Sequence, residues 1–414
     1  MLKSLNFNSF EFNSRQEALI GVDTSKKYVL KVQLVPNPRK KNTIKEEYEV
    51  MRHLNKSECV SCPKAYEYGK ITKTNLLDLV TEKDHREALI DDEYEYILQE
   101  YISDSGLINL PDIVLSILEQ KKLGVYQADI KPGNLRFDVN TSVCYIIDYD
   151  QAILLTDEQK SFPNKTFFNF CSQYDKQEHG IGNWLRHLPQ YSELDLDQLF
   201  RDGSFNLGQT TILKTQRTTN STTGIYHTIE SDDIFADGSR KVDVRAGILD
   251  TLQFKEGEKV LDIGCNTGLL CQYLAARGCE VSGVDNDTRV VIVAKIISNI
   301  LGNNIDYYHL DLDDAEAIKE CDTIMLFSVL HHTHKVKENA KKIAQACNRI
   351  IIEARLFENG AQPYGDEWVR TSSWNFNDWE EFYTFCETIF PGFKLKNNLG
   401  LGSKNRNILE LVKE

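Results

Sequence analysis

The hydrophobic pattern changes period along the chain. Between Glu17 and Gln33 apolar and polar residues alternate on either side of Asp23-Thr24-Ser25, which predicts two strands joined by a tight turn. Ile44, Tyr48, Met51 and Leu54 then recur at helical spacing and predict a helix over 44–54. Tyr96–Tyr101 reads as a strand, 106–123 as a helix, and 143–148 (Val-Cys-Tyr-Ile-Ile-Asp) as a short buried strand that ends in an acid. Helical segments are expected from there to about residue 203. From residue 240 onward helix and strand alternate, with strands expected at 259–263, 280–284, 305–309, 322–327, 348–353, 392–398 and 406–412. That is the pattern of a mostly parallel sheet covered on both faces. The last two strands, separated by Gly400, Gly402 and polar residues, predict a closing hairpin. Residues 204–225, rich in Thr, Ser, Gly and Asn, read as a linker between domains at 1–203 and 226–414.

Length supports that division, since 414 residues exceed one ordinary core. With 41% apolar and 27% charged residues, the composition is that of a soluble globular protein. No run of eighteen apolar residues and no cationic-then-apolar leader appears, so neither a membrane span nor export is expected. The ten cysteines are scattered, several inside predicted elements (Cys144, Cys321, Cys347), which suits a reducing cytoplasm. Cys59 and Cys62 form a C-x-x-C pair without a second pair or nearby histidines, and two loop cysteines is the preferred reading over zinc. A net charge of −14 makes nucleic acid an unlikely partner and repels anionic membrane. Arg39-Lys40-Lys41 is too short to offset it and reads as a solvated face.

Two stretches carry chemistry. In Val260-Leu-Asp-Ile-Gly-Cys-Asn-Thr-Gly268 an apolar strand runs into a glycine-bearing turn, followed by a helix, a second strand and Asp285. Glycines at 264 and 268 let backbone approach a bulky ligand, and an acid about twenty residues on can accept from both hydroxyls of a ribose. From about residue 225 the chain resembles the class I S-adenosylmethionine-dependent methyltransferases, which implies a doubly wound, Rossmann-like α/β fold. The resemblance implies that Asp262, Gly264, Asn266 and Gly268 hold the methionine end, Asp285 the ribose and Asp311 the adenine amine. The usual nicotinamide turn spaces its glycines one and then two residues apart, unlike Gly264-Cys-Asn-Thr-Gly268, so a dehydrogenase is the weaker reading. Ser328-Val-Leu-His-His332 falls where acceptor meets methyl. One of His331 and His332 is expected to act as a base or anion-binding donor, the other to be structural, because neighbours at a strand end point oppositely. His334 is expected at the surface. Tyr226, Arg240, Arg245 and Arg355 are candidates to grip an acceptor, the arginines bidentately if it is anionic.

The second stretch is Gly124-Val-Tyr-Gln-Ala-Asp-Ile-Lys-Pro-Gly-Asn134, followed by Ile147-Asp-Tyr-Asp150. With Lys31 in an upstream strand and Glu47 in the first helix, it resembles the protein-kinase fold, which implies a bilobal α+β domain. The resemblance implies that Lys31 holds the phosphates of ATP and pairs with Glu47, and that Glu100 and Tyr101 flank adenine. It makes Asp129 the residue that aligns the attacking hydroxyl, Lys131 a neutraliser of the transferred phosphoryl, and Asn134 and Asp148 the ligands of Mg2+. No glycine lies in Phe7–Gln16, where a Gly-rich loop is expected, and the stretch after Asp150 is short. That short stretch, together with Asp148-Tyr-Asp150 in place of Asp-Phe-Gly, resembles the compact lipopolysaccharide and sugar-acid kinases. A kinase ahead of a methyltransferase also resembles, with the order reversed, the bifunctional enzymes that terminate O-antigen chains with a methyl phosphate. The expectation is a cytoplasmic enzyme, peripheral to envelope synthesis, acting on a carbohydrate or small-molecule acceptor with ATP, magnesium and S-adenosylmethionine. The alternatives are two independent activities, or a methyltransferase with a non-catalytic kinase-like docking module.

Overall fold

A computed structural model describes residues 5–12, 17–35, 42–80, 82–103, 110–130, 134–138, 141, 143–162, 166–167, 170, 194–195, 205–207, 210–212, 229–230, 234–236, 247–356, 376–401 and 406–414. The chain divides into two compact units, one formed chiefly by residues up to 217 and the other chiefly by residues from 237 on.

The first unit opens with β1 (Phe7–Phe12), β2 (Ala18–Asp23), β3 (Tyr28–Gln33), α1 (Ile44–Lys56), β4 (Ala65–Thr72), α2 (Lys73–Leu79), α3 (Lys83–Glu87) and β5 (Glu93–Glu100). Its five strands form an antiparallel sheet in the order β1-β2-β3-β5-β4. Leu30, Val32, Tyr94, Tyr96 and Leu98 pack with Phe10, Leu19 and Leu76 on one face. Strand alternation then sends Val29, Lys31, Ile97 and Gln99 to the other face, with Lys31 opposite Ile97 and Val29 opposite Gln99. Helix α1 begins at a capping box in which Thr43 and Glu46 satisfy each other's backbone N–H groups. It buries Ile44, Glu47, Val50, Met51 and Leu54. The apolar spacing had put Tyr48 in that stripe. Tyr48 is instead half-buried, and Glu47 takes the inner position because its carboxylate meets Lys31. Helices α2 and α3 were not expected from the sequence. They are too short for an apolar period to register, and α2 starts on the Thr72 side chain, which accepts from the Asn75 N–H.

Next come α4 (Leu110–Lys122), β6 (Val125–Gln127), β7 (Leu135–Asp138), β8 (Val143–Ile146), β9 (Ala152–Leu154) and α5 (Asp157–Lys160), with β6 antiparallel to β9 and β7 to β8. The strand expected over 143–148 stops two residues early because Asp148 turns into the left-handed region at φ 64° and starts a 3-10 turn. Most of the helical segments expected up to residue 203 lie outside the described residues. Short strands β10 (Leu194–Asp195), β11 (Phe205–Leu207), β12 (Thr210–Ile212), β13 (Ile229–Glu230) and β14 (Ile234–Ala236) are present. Strands β11 and β12 pair antiparallel within the stretch that reads as a linker.

The second unit contains β15 (Lys259–Ile263), α6 (Leu269–Ala275), β16 (Glu280–Asp285), α7 (Thr288–Leu301), β17 (Asp306–His309), β18 (Thr323–Phe327), α8 (Val336–Ala346), β19 (Arg349–Arg355), α9 (Trp379–Ile389), β20 (Phe393–Leu401) and β21 (Arg406–Lys413). The seven-stranded sheet runs β17-β16-β15-β18-β19-β21-β20, parallel from β17 to β19, with β21 antiparallel to both of its neighbours, β19 and β20. Strands bury both faces. Leu261, Ile263, Leu326 and Ile350 enter one hydrophobic layer, while Val260, Met325 and Ile351 enter the other. That is why these strands read as continuous apolar runs. The chain winds outward from β15 to β17 and returns to β18 on the far side of β15, so the strand order reverses at β15, where doubly wound sheets bind ligands. Among the described residues no helix is long and apolar enough to cross a membrane.

Candidate functional site

In the first unit β3, α1 and the segment after β8 bring three charged side chains together. The Lys31 ammonium lies 2.8 and 2.7 Å from the two Glu47 carboxylate oxygens and 2.5 Å from Asp148 Oδ1. Lys31 and Glu47 are buried, and Asp148 is partly open. Burial works against the Lys31 charge, but the carboxylates of Asp148, Glu47 and Asp150 outweigh it and hold the ammonium well above the usual lysine range. The Tyr149 N–H also donates to Glu47 Oε1 at 3.2 Å.

Gln127, at the end of β6, extends the network. Its side-chain NH2 donates to the Asp148 carbonyl, and its Oε1 accepts from the Asp129 N–H at 3.2 Å. Asn134 Nδ2 donates to the Asp129 carbonyl at 2.8 Å and to Asp129 Oδ2 at 3.3 Å. Lys31, Glu47, Asp148, Asp129 and Asn134 therefore belong to one connected cluster. Lys131 lies outside the described residues. Glu100 and Tyr101 stand at the end of β5, but their N–H groups are already used, donating to the Lys64 and Lys27 carbonyls at 2.8 and 2.9 Å. Cys59 and Cys62 lie buried near α4, with the Cys59 thiol donating to Glu119 at 3.5 Å and burial raising both thiols.

The cluster holds one ammonium among several carboxylates, so a polyphosphate would need a divalent cation to be tolerated. Among the described residues no group of three or more His, Cys, Asp or Glu is placed to hold a metal alone. Asp148 and the Asn134 Oδ1 together with ligand phosphates would suit magnesium, which prefers few protein ligands.

In the second unit the turn after β15 is built from left-handed positions, with φ +76° at Gly264, +50° at Asn266 and +80° at Gly268. A Cβ on Gly264 would collide with Val329, and one on Gly268 with the Tyr307 hydroxyl. The Gly264 and Cys265 N–H groups donate to the Val284 carbonyl at 2.8 and 3.0 Å, tying the turn to β16. Asp285 closes β16 and accepts from the Asn266 N–H and the Asp287 N–H, both at 3.0 Å. Burial raises its pKa, and those amide bonds oppose the rise. Each carboxylate oxygen keeps a lone pair that can accept from a ribose hydroxyl. Asp262 is buried below the turn and accepts from the Cys271 thiol at 3.5 Å. Asp311 follows β17, beside Leu310, whose N–H donates to the Asp285 carbonyl at 3.0 Å.

The acceptor end corrects one expectation. His331 and His332 do not point to opposite sides: their rings lie 4.0 Å apart, tilted by 41°. Both sit in a 3-10 turn, Leu330–His332, where successive side chains are separated by about 120° and not by a strand's half-turn. Ser328, left-handed at φ 64°, and Arg406 of β21 both donate to Glu353 Oε1, at 2.5 and 3.0 Å. The Glu353 side chain is fully buried. Burial, His332 and Arg406 push His331 down to about 3, and burial and Arg406 lower His332. Both imidazoles are therefore neutral near pH 7 and weak as bases. His334 is exposed, and Trp379 packs partly buried against the core.

Sequence reasoning missed Glu353 and Arg406, and it assigned no role to Gln127 or Ser328, although both lie in the motifs it singled out. Glu353 did leave a signal, since a carboxylate inside the apolar run Arg349-Ile-Ile-Ile-Glu needs a partner. Tyr226, Arg240, Arg245 and the Arg355 side chain lie outside the described residues.

Residues 237–383 match a family model described as a methyltransferase domain. The ubiquinone biosynthesis O-methyltransferase of Dechloromonas aromatica is 32% identical over 97 residues, which is 23% of this chain and 40% of that one. The chain thus spans about two fifths of the length of the curated relatives it matches. The magnesium protoporphyrin IX methyltransferase of Synechocystis, solved with bound SAH, aligns with 42% of this chain and 82% of its own at 22% identity and a TM-score of 0.34. The bifunctional kinase–methyltransferase WbdD aligns with 43% of this chain and 40% of its own at 20% identity and a TM-score of 0.34. The second unit carries a class I S-adenosylmethionine-dependent methyltransferase domain, on its sheet order, its glycine turn and the family match.

Proposed function

We propose that the chain is a bifunctional transferase. Its first unit transfers the γ-phosphoryl group of ATP to a carbohydrate hydroxyl, and its second transfers a methyl group from S-adenosylmethionine, onto that phosphate in the simplest sequence. The observation that carries the kinase half is the buried Lys31 ammonium bracketed by Glu47 and Asp148 and joined through Gln127 to Asp129 and Asn134.

Each residue then has a task. Lys31, oriented by Glu47, steadies the α/β-phosphates. Asp129 aligns the acceptor hydroxyl and takes its proton as the new O–P bond forms and the bond to ADP breaks. Asn134 and Asp148 hold the magnesium that shields the phosphates, and Lys131 balances charge on the group in transit. In the second unit the Gly264–Gly268 turn and Asp285 hold the cofactor, while Glu353 and Ser328 fix Arg406 beside the two imidazoles. A phosphate oxygen is already anionic and needs alignment more than a base, which accords with imidazoles held neutral. An oxygen acceptor also accords with O-methyl transfer in the relatives' names. Tyr226, Arg240, Arg245 and Arg355 remain candidates to contact that acceptor, in a cytoplasmic setting that suits free thiols.

The test is transfer from labelled ATP and labelled S-adenosylmethionine to a panel of envelope glycans. Phosphoryl transfer should fall at least a hundredfold in Asp148→Ala, and methylation should then persist only on acceptor that already bears phosphate. Methylation lost on every acceptor would instead indicate docking by the first unit, and methylation unchanged on all acceptors would indicate two independent activities.

A further inference from the structure

Asp148 stands at φ 64°, a left-handed position that a non-glycine residue keeps only where its surroundings hold it. The carbonyls that follow Asp148 lead to Asn42. The Asn42 backbone N–H donates to the Asp150 carbonyl at 2.9 Å, and its side-chain amide donates to the Tyr149 and Ala152 carbonyls at 3.0 and 3.1 Å. One residue thus satisfies three acceptors in the 3-10 turn Tyr149–Gln151 and its exit. Asn42 also directly precedes Thr43, the cap of α1, and α1 carries Glu47, whose carboxylate meets Lys31. Lys31 in turn meets Asp148. These contacts close a ring from Lys31 through Glu47 and α1 to Asn42, then through the turn to Asp148 and back. On the core side Gln120 donates to the Tyr149 hydroxyl at 2.8 Å. Phosphates drawn to Lys31 would compete with Asp148 for its ammonium, whereas the Asn42 bonds use only backbone carbonyls and a ligand leaves them in place.

We propose that Asn42 is a positioning residue for magnesium, tying the start of α1 to the turn after Asp148 so that this carboxylate stays aimed at the metal when phosphates engage Lys31. This rests on the reading that the first unit binds ATP with magnesium. Asn42 touches neither metal nor nucleotide. Without its amide the two carbonyls lose their donor, and Asp148 must be brought to its place by the metal itself.

Calorimetry of ADP binding to the full chain across a magnesium series reads the positioning directly. In Asn42→Ala and Asn42→Asp the magnesium needed for half of the gain in ADP affinity should rise roughly tenfold, the scale for groups that orient a metal ligand. Excess magnesium should then restore the wild-type affinity. Asn42→Asp keeps the size of the side chain but has no N–H to give the two carbonyls. Thr43→Ala is the control, because it removes the cap of the same helix. It should lower the melting temperature without moving the magnesium midpoint. An unmoved midpoint in both Asn42 variants, or an equal shift in Thr43→Ala, overturns the proposal and leaves Asn42 a structural part alone. Loss of the first unit's melting transition in both Asn42 variants overturns it too. If the wild-type protein binds ADP at no magnesium concentration, the ATP reading itself fails, and the assignment of Asn42 fails with it.

Discussion

Lys31 gathers the charges of its site, and Glu47 depends on it. Removing one member of a buried ion pair costs about 3–5 kcal/mol, because the other is left charged in a poor solvent. Lys31→Ala is therefore expected to destabilise the first unit by roughly that amount and to abolish ATP binding. Thermal unfolding and calorimetry read the two effects separately. His331 carries a prediction of opposite kind. Its native pKa, near 3, lies below the usual value of about 6.5. Below pH 6.5 the unfolded chain takes a proton that the native imidazole refuses, so this group costs stability as pH falls toward 3 and costs nothing above neutrality. Between pH 6.5 and 5 the loss is up to about 2 kcal/mol. His331→Gln should remove that part of the slope in urea unfolding. An identical slope in the two proteins would show that His331 titrates normally.

At the scale of elements, the turn between β15 and α6 gathers three left-handed residues, Gly264, Asn266 and Gly268, within five positions. Gly264→Ala and Gly268→Ala each add a Cβ at positive φ against Val329 or Tyr307, and each should weaken S-adenosylhomocysteine binding at least tenfold. Gly392→Ala is the control. It also has positive φ, 83°, but meets open space, so it should cost only about 1–2 kcal/mol of strain and leave binding intact.

The same turn shows what could be read from the chain beforehand. Continuous apolar runs ending in Gly264, Asp285 and Phe327 marked buried parallel strands, and each lies within a few residues of its expected place. The closing hairpin was legible from two apolar runs around Gly400 and Gly402, whereas the Lys31–Glu47 pairing was legible only through the resemblance to the protein-kinase fold. The His331–His332 geometry was not legible, because a 3-10 turn after Ser328 replaced the extended backbone that the strand pattern implied. Arg406 and Glu353 are 53 residues apart in sequence and meet only through the β19–β21 register. Helices α2 and α3 escaped because so few turns carry no period.

At the scale of the molecule, the proposed function requires two units in one chain, one binding ATP and the other S-adenosylmethionine. Tethering would let an acceptor phosphorylated by one unit reach the other at raised effective concentration. The most direct measurement is calorimetry of the full chain with magnesium ATP and S-adenosylmethionine, singly and together, for the wild-type protein, Lys31→Ala and Gly268→Ala. One site for each ligand is predicted, without mutual competition. Lys31→Ala should lose only the ATP heat, and Gly268→Ala only the S-adenosylmethionine heat. Heat from a single ligand, or displacement of one ligand by the other, would contradict the account.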